Sequence, residues 1–170
     1  RDAAIIGLMA SIAGLRRTEV ITLQLDNYDQ ANQELTVLGK GKKKRKAYLQ
    51  NGAAEALADW LHLRGQDPGP LFCPVNKSGA VTVTGMTSQA VYNMLKKRAD
   101  QAGINDFSPH DLRRTFISNL LDAGVDVVTV SKLVGHSDPN TTKRYDRRGA
   151  EQKRQAVGKL HYPWHRRFRD

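Results

Sequence analysis

Apolar residues recur at helical spacing through most of the chain, and glycines, prolines and short polar stretches separate the runs. In the first run, Ile5, Leu8 and Ile12 fall on one face and the pattern stops near Gly14. Most later runs begin after a capping residue or at a proline, and most stop at a glycine. The predicted helices are this first run, about 18–22, 51–65, 87–103, 108–124, 126–135, a segment after Pro139 that carries Tyr145, and 150–160.

One short region in the first third of the chain predicts a pair of strands. Glu34 to Leu38 is typical of a strand, residues 39–41 (Gly-Lys-Gly) predict a turn, and Lys46 to Leu49 can pair back across it. The chain shows no internal repeat. Together these elements predict one mainly α (α+β) domain with a small antiparallel sheet or hairpin.

The composition narrows the class of protein. Lys and Arg number 27 against 17 acidic residues, and the formal net charge of +10 favours a polyanionic partner such as nucleic acid or an anionic membrane surface. A basic protein without such a partner is the alternative. Cys73 is the only cysteine, which excludes an intramolecular disulfide and a cysteine-rich zinc site. No apolar run reaches membrane-spanning length and no signal-peptide pattern occurs, so we expect a cytoplasmic protein.

Positive charge is concentrated in two stretches. Six of the seven residues from Lys40 to Lys46 are basic, and the 25 residues after Tyr145 contain eight basic and three acidic residues. Contacts that follow a DNA backbone are one interpretation of such clustering. A solvated hairpin tip is the alternative for the first stretch.

Cleaving a phosphodiester without a metal requires positive charges on the non-bridging oxygens, a nucleophile, and an acid for the leaving oxygen. Arginine suits the first task because its planar fork binds phosphate at two points and keeps its charge. Arg16, predicted at a helix junction, and Arg113 are the candidates. His110 shares a helical face with Arg113, so one phosphate can contact both. Taken alone, the pair is more typical of a solvated helix face.

Two further residues are candidates for chemistry. His136 follows a predicted helix end, where a histidine commonly contacts the last carbonyl groups. Tyr145, considered alone, is more typical of a half-buried packing residue. A free phenol has a pKa of about 10 and needs neighbouring cations to act as a nucleophile at neutral pH. An arginine-rich pocket would supply them.

The order and spacing of these residues resemble the motifs of the tyrosine recombinases, the phage integrase family. Residues 14–19 (Gly-Leu-Arg-Arg-Thr-Glu) resemble the family's Gly-Leu-Arg-x-x-Glu box, and Lys40 between two glycines resembles its hairpin lysine. Residues 110–113 resemble its His-x-x-Arg box, and residues 133–136 resemble its Leu-Gly-His box, with Tyr145 nine residues further on. The resemblance covers nearly the whole chain.

The resemblance implies a role for each of these residues. Tyr145 would attack the scissile phosphorus, leaving a 3′-phosphotyrosyl bond and a free 5′-hydroxyl group. Lys40 would protonate the leaving oxygen, His110 would assist proton transfer at the tyrosine, and Glu19 would orient an arginine. The phosphoryl oxygens would be bound by Arg16, Arg113 and His136. No metal, cofactor or ATP is implied, because the phosphotyrosyl ester retains most of the free energy of the broken bond.

Neighbouring basic residues compete with some of these assignments. Arg17 adjoins Arg16 and Arg114 adjoins Arg113, and only one of each pair can face the phosphate because helical neighbours point about 100° apart. Lys42, Lys43 and Lys44 likewise rival Lys40. The residues expected to contact DNA are Lys42, Lys43, Lys44, Arg45, Arg114 and Lys143.

The resemblance also implies an organisation and a set of partners. Residues 1–170 would be a catalytic domain acting on double-stranded DNA, without the family's N-terminal DNA-clamping domain, and the start without methionine predicts a fragment of a longer protein. Residues 150–160 and the tail 162–164 would dock on a neighbouring protomer, giving dimers or tetramers on DNA, or else pack within the chain. A site-specific recombinase is the main expectation, with a type IB topoisomerase or a non-catalytic DNA-binding module as alternatives.

Overall fold

The computed structural model describes residues 1–39, 41, 43–161 and 163–164, except for the side chains of residues 150–153. The predictions for Lys40, Lys42 and Tyr162 lie outside the described residues. The helices are α1 (Asp2–Gly7, continued by a π-helical segment Leu8–Ile12), α2 (Arg17–Thr22), α3 (Asn51–Arg64), α4 (Ser88–Gln101), α5 (Pro109–Asp122), α6 (Val127–Val134), α7 (Pro139–Lys143) and α8 (Ala150–Gly158). The strands are β1 (Tyr28–Asp29), β2 (Glu34–Leu38) and β3 (Lys44–Tyr48), and a 3₁₀ turn covers Leu25–Asn27. The prediction of a mainly α domain with a small antiparallel sheet is confirmed.

Helix α5 begins where its capping residues predict. The Ser108 hydroxyl accepts the His110 N–H at 3.3 Å, and the Asp111 carboxylate accepts the Ser108 N–H at 2.8 Å. These bonds satisfy backbone N–H groups that have no partner inside the helix. Thr87 and Asp126 cap α4 and α6 in the same way. The cap therefore fixes His110 in the first turn of α5 and Arg113 one turn later.

The sheet differs from the predicted hairpin in two ways. Strand β3 begins at Lys44 rather than Lys46, with Leu38 opposite Lys44 and Glu34 opposite Tyr48. A short strand β1, which the sequence analysis did not predict, pairs with the other edge of β2. The error at β3 arose because a lysine-rich run lacks strand composition, whereas an antiparallel strand tolerates charge on the face that water covers.

Tyr145 lies two residues beyond α7, and the predicted helix carrying it is too long at this end. The Tyr145 N–H bonds to the Thr142 carbonyl and the Asp146 N–H to the Lys143 carbonyl, both at 3.0 Å. Such i to i−3 bonds tighten the chain and end the α-helix. The tyrosine is therefore carried by a tight turn.

The loop before Arg16 packs directly against α5. Gly14 has a φ of +53°, and a Cβ atom there would lie 2.7 Å from Cδ1 of Phe116. Only glycine permits both this conformation and this close approach. Phe116, Val130 and Val134 belong to a small apolar cluster between α5 and α6, while a larger cluster joins α1 to α4 and the sheet. Arg16 is thus held beside α5, which carries His110 and Arg113, and α6, which His136 follows.

The described part of the chain contains neither a membrane-spanning helix nor a cluster of metal-binding side chains. Of the helices in the described part of the chain, none combines the length and the apolar character needed to cross a bilayer. The described side chains also contain no group of three or more His, Cys, Asp or Glu residues arranged to hold a metal ion.

Candidate active site

Residues from separate segments of the chain line one cavity of about 730 Å³. Sequence analysis named six catalytic candidates, and the five that the structure describes all line this cavity: Arg16, His110, Arg113, His136 and Tyr145. Gly39 and Gly41, which flank Lys40 in the sequence, also line it. The cavity therefore gathers side chains that are up to 129 residues apart (145 − 16) in the sequence.

Arg113 lies at the bottom of the site with only 1% of its surface exposed. Its guanidinium donates to the carbonyl of Gly14 and, at 2.7 Å, to the carbonyl of Val134. These bonds join the loop that carries Arg16 to the end of the helix that precedes His136. Burial, followed by the charge of Arg16, lowers the pKa of Arg113 to about 10. Arg113 therefore stays protonated at neutral pH and places a positive charge on the cavity wall.

The neighbouring arginines have other contacts. Arg114 is exposed and pairs with Asp111 at 3.4 Å. The Arg17 guanidinium lies 5.2 Å from the centre of the Tyr92 ring and donates to the Ser88 carbonyl. Arg17 lines an adjoining cavity of about 340 Å³, which shares Arg16, His110 and Arg113 with the larger one, but it does not line the larger cavity. This geometry favours Arg16 and Arg113 over Arg17 and Arg114 as phosphate ligands.

Glu19 is buried and organises the cationic side of the cavity. Its carboxylate accepts the Arg16 backbone N–H at 2.8 Å and the Arg16 guanidinium at 2.9 Å. It also accepts two bonds of 3.0 Å from Arg45. Burial alone would raise the pKa of Glu19, but the bonds from Arg45 and from the Arg16 backbone lower it below its ordinary value. The carboxylate is therefore ionised at neutral pH and fixes Arg16 in place.

Arg45 has a different environment from the rest of the basic hairpin. Lys43 and Lys44 are exposed, whereas the Arg45 side chain is only 10% exposed and also donates to the Leu133 carbonyl at 3.1 Å. The sequence analysis grouped Arg45 with the DNA contacts and missed its bond to Glu19. Strand alternation gives the available signal, because Arg45 shares the inward face of β3 with buried Ala47. Its guanidinium links the hairpin, α2 and the end of α6.

His136 follows the left-handed end of α6 at Gly135, whose φ is +68°. The half-buried imidazole has its Nδ1 atom 2.8 Å from the Thr142 hydroxyl. Burial, followed by the charges of Arg113 and Arg16, lowers the pKa of His136 to about 4. Burial and the charge of Arg113 also lower the pKa of His110, which is more exposed. Both imidazoles are therefore neutral at pH 7.

Tyr145 is half-buried, and its ring packs against the small apolar cluster between α5 and α6. The packing of the ring agrees with a purely structural role for Tyr145. The residue also lines the cavity, however, where a structural role alone would not require it. A phenol, two fixed arginines and a neutral histidine thus share one cavity. This arrangement can stabilise a pentavalent phosphorane and neutralise a phenolate without a metal.

The depressed pKa of His136 predicts acid sensitivity. Because the folded-state pKa is about 4 and the ordinary value is 6.5, the unfolded chain binds a proton first as the pH falls. The free energy of unfolding should therefore decrease from pH 6.5 downward, and urea titrations at a series of pH values measure this. His136→Asn should lose less stability between pH 6.5 and about pH 5, a range above the titration of Glu19. Equal losses in both proteins would contradict the assignment.

Comparison with known proteins identifies the family of this chain. A family model described as "Phage integrase family" matches residues 1–152. Tyrosine recombinase XerC of Corynebacterium glutamicum is 32% identical over 164 residues, which cover 95% of this chain and 51% of the relative. Tyrosine recombinase XerD of Lacticaseibacillus casei is 37% identical over 150 residues, which cover 85% of this chain and 50% of the relative. The chain thus spans about half the length of these curated relatives.

Solved structures show the same fold. The crystal structure of XerA recombinase matches with a TM-score of 0.72 at 26% identity, over 94% of this chain and 58% of that one. The XerH site-specific recombinase, solved with its difH substrate in a pre-cleavage complex, matches with a TM-score of 0.71. Its identity is 23%, over 94% of this chain and 46% of that one, a level that shows the fold alone.

Proposed function

The chain belongs to the phage integrase family, and on this premise we propose that it is the catalytic domain of a site-specific DNA recombinase or integrase. The observation that carries the proposal is the shared cavity, in which Tyr145 accompanies Arg16, Arg113 and His136. The named relatives are tyrosine recombinases, which favours recombination over relaxation by a type IB topoisomerase. In this proposal residues 1–170 supply the chemistry of strand cleavage and rejoining.

The proposed reaction is an in-line displacement at phosphorus. The Tyr145 oxygen forms a bond to the scissile phosphorus, the bond to the 5′ oxygen breaks, and a 3′-phosphotyrosyl ester results. Arg16 and Arg113 neutralise charge on the non-bridging oxygens, and neutral His136 donates a further hydrogen bond. In the reverse step a 5′-hydroxyl group attacks the ester and releases the tyrosine. One phosphoester replaces another in each step, so no ATP is consumed.

Two proton transfers accompany this displacement. Tyr145 must lose the phenolic proton, and His110 is the proposed acceptor because it is neutral at pH 7 and lines the same cavity. The leaving 5′ oxygen must gain a proton, for which Lys40 is the proposed donor. Support for Lys40 comes from its sequence position between Gly39 and Gly41, both at the cavity wall.

Double-stranded DNA is the proposed partner, and an exposed basic rim supports it. Lys43, Lys44 and Lys132 line the cavity and are exposed. The exposed Arg114 and Lys143 are proposed to contact more distant phosphates. Each neutralised phosphate adds roughly −0.9 to the slope of log affinity against log salt. The Lys43→Gln/Lys44→Gln variant should therefore show a flatter slope than Lys77→Gln, an exposed control that does not line the cavity.

A homo-oligomer on DNA is the proposed active assembly, with α8 as the connecting element. Val157 and Leu160, at and just beyond the end of α8, are 67% and 78% exposed and suit an apolar contact with a second protomer. Truncation after Gly149 should abolish self-association on DNA in analytical ultracentrifugation. Unchanged association would favour packing of α8 within its own chain.

A suicide substrate tests the proposed function. A duplex from the ends of the element that carries the gene, nicked close to the cleavage point, should lose the short released strand and trap the protein. Label placed on the 3′-phosphate side should remain with the protein through denaturation, while label on the 5′-hydroxyl side should not. Relaxation of any supercoiled plasmid without such a site would indicate a topoisomerase. Salt-dependent binding with no covalent product on any target would indicate a binding module.

A further inference from the structure

Thr142 lies in the sequence between His136 and Tyr145, and it contacts both residues. It is a polar residue with 0% of its surface exposed. Its hydroxyl lies 2.8 Å from Nδ1 of His136, and its backbone carbonyl accepts the Tyr145 N–H at 3.0 Å. One residue thus contacts both the imidazole and the turn that carries the proposed nucleophile.

The hydroxyl contact bears on which imidazole nitrogen carries the proton. A neutral imidazole has one N–H donor and one acceptor nitrogen, and the partner of one nitrogen determines the role of the other. A phosphoryl oxygen can only accept, so His136 can help it from Nε2 only if Nε2 carries the proton. The Nδ1 atom must then accept, and the Thr142 hydroxyl, which can donate, is the group placed beside it.

We propose that Thr142 is a positioning residue that fixes His136 as the Nε2–H tautomer and sets its distance from Tyr145. The inference rests on the proposed function, which supplies the phosphoryl oxygen. Among the described residues, the other charged and titratable groups that line this cavity are Arg16, Lys43, Lys44, Arg45, His110, Arg113, Lys132 and Tyr145. The positive members disfavour the imidazolium, so the neutral tautomers are the relevant species.

Two substitutions distinguish the role of the Thr142 hydroxyl group from the role of side-chain packing. Thr142→Val keeps the shape of the side chain and removes the hydroxyl, whereas Thr142→Ser keeps the hydroxyl and removes a methyl group. A purely structural role predicts that serine, which leaves a small void, is at least as harmful as valine. A tautomer-fixing role predicts the reverse order. Thermal unfolding of both variants shows how far each one remains folded.

The first readout is the ¹⁵N NMR spectrum of the histidine rings in the DNA-free chain. The His136 signals are assigned by their loss in His136→Asn. Wild type and Thr142→Ser should show a protonated Nε2 and an unprotonated Nδ1 at pH 7, and Thr142→Val should show a tautomer mixture. A wild-type ring with the proton on Nδ1, or an unchanged spectrum in Thr142→Val, would overturn the inference.

The second readout is the single-turnover cleavage rate on the nicked duplex. Thr142→Val should cleave roughly tenfold to a hundredfold more slowly with unchanged DNA affinity, and Thr142→Ser should stay within a few-fold of wild type. Equal rates for valine and wild type would overturn the inference even if DNA is cleaved. Because the NMR readout needs no DNA, a correct tautomer pattern in a chain that never cleaves would instead count against the proposed function.

Discussion

Tyr145→Phe is expected to abolish covalent capture of DNA while the folded state and the DNA affinity stay close to wild type. The phenylalanine ring retains the packing against the cluster between α5 and α6, and only the hydroxyl is lost. Removing the nucleophile of a covalent enzyme costs roughly a millionfold in rate, which lies below detection in a trapping assay. The measurement is the yield of protein–DNA adduct on a denaturing gel, with binding to the intact duplex measured in parallel.

Tyr48→Phe is the matched control for this experiment. Tyr48 is about half exposed on β3, in the strand that follows the basic turn, so it is accessible to DNA. It does not line the cavity, and its loss should leave the adduct yield unchanged. An adduct that persists in Tyr145→Phe, or disappears in Tyr48→Phe, would contradict the assignment of the nucleophile.

Arg45→Ala is expected to lower the free energy of unfolding by about 3 kcal/mol. The substitution leaves the buried Glu19 carboxylate with one charged partner, Arg16, whose side chain is more exposed than that of Arg45. Removing a buried partner leaves the desolvated carboxylate only partly compensated. The Leu133 carbonyl also loses a donor. Urea titration at pH 7 measures the effect, and Lys44→Ala, an exposed neighbour on the same strand, should change stability by less than about 0.5 kcal/mol.

A second substitution identifies the source of this loss. Glu19→Gln in the Arg45→Ala background removes the buried charge, which Arg16 alone then balances, and should restore part of the stability. The double variant should nevertheless cleave DNA slowly, because Arg16 loses its ionic partner and with it the orientation towards the cavity. If Arg45→Ala is as stable as Lys44→Ala, the ion pair between Arg45 and Glu19 does not contribute to the free energy of unfolding.

The elements defined by local interactions were predictable from the sequence. The start of α5 follows from Ser108 and Pro109, because a hydroxyl cap and a proline at the first position act within one turn. The end of α6 follows from Gly135 in the same way. The spacing of His110 and Arg113 then follows from helix geometry alone.

Contacts between distant segments were harder to predict. Arg45 bonds to Glu19 across 26 residues and to Leu133 across 88, and no local rule connects these positions. A basic run suggests solvent or DNA, and only the register of β3 reveals that Arg45 faces inward. The role of Thr142 was equally hard to predict. Its hydroxyl can contact His136 only because the turn after α6 brings the imidazole against α7.

The end of α7 was predicted wrongly for a different reason. Asn140, Thr141 and Thr142 have low helix propensity, and no glycine or second proline before Tyr145 marks where the helix ends. The turn at Tyr145 depends on the i to i−3 bonds and on packing of the ring against the α5–α6 cluster. Local propensity contains no information on these tertiary contacts.

The most direct test of the account identifies the residue that carries DNA in the trapped complex. Cleavage of the adduct before Asp138 and Asp146 yields a peptide of residues 138–145 with one tyrosine, and tandem mass spectrometry can locate the nucleotide on it. The account predicts a nucleotide joined through its 3′-phosphate to the oxygen of Tyr145. A nucleotide on any other residue, or one joined through a 5′-phosphate, would contradict it.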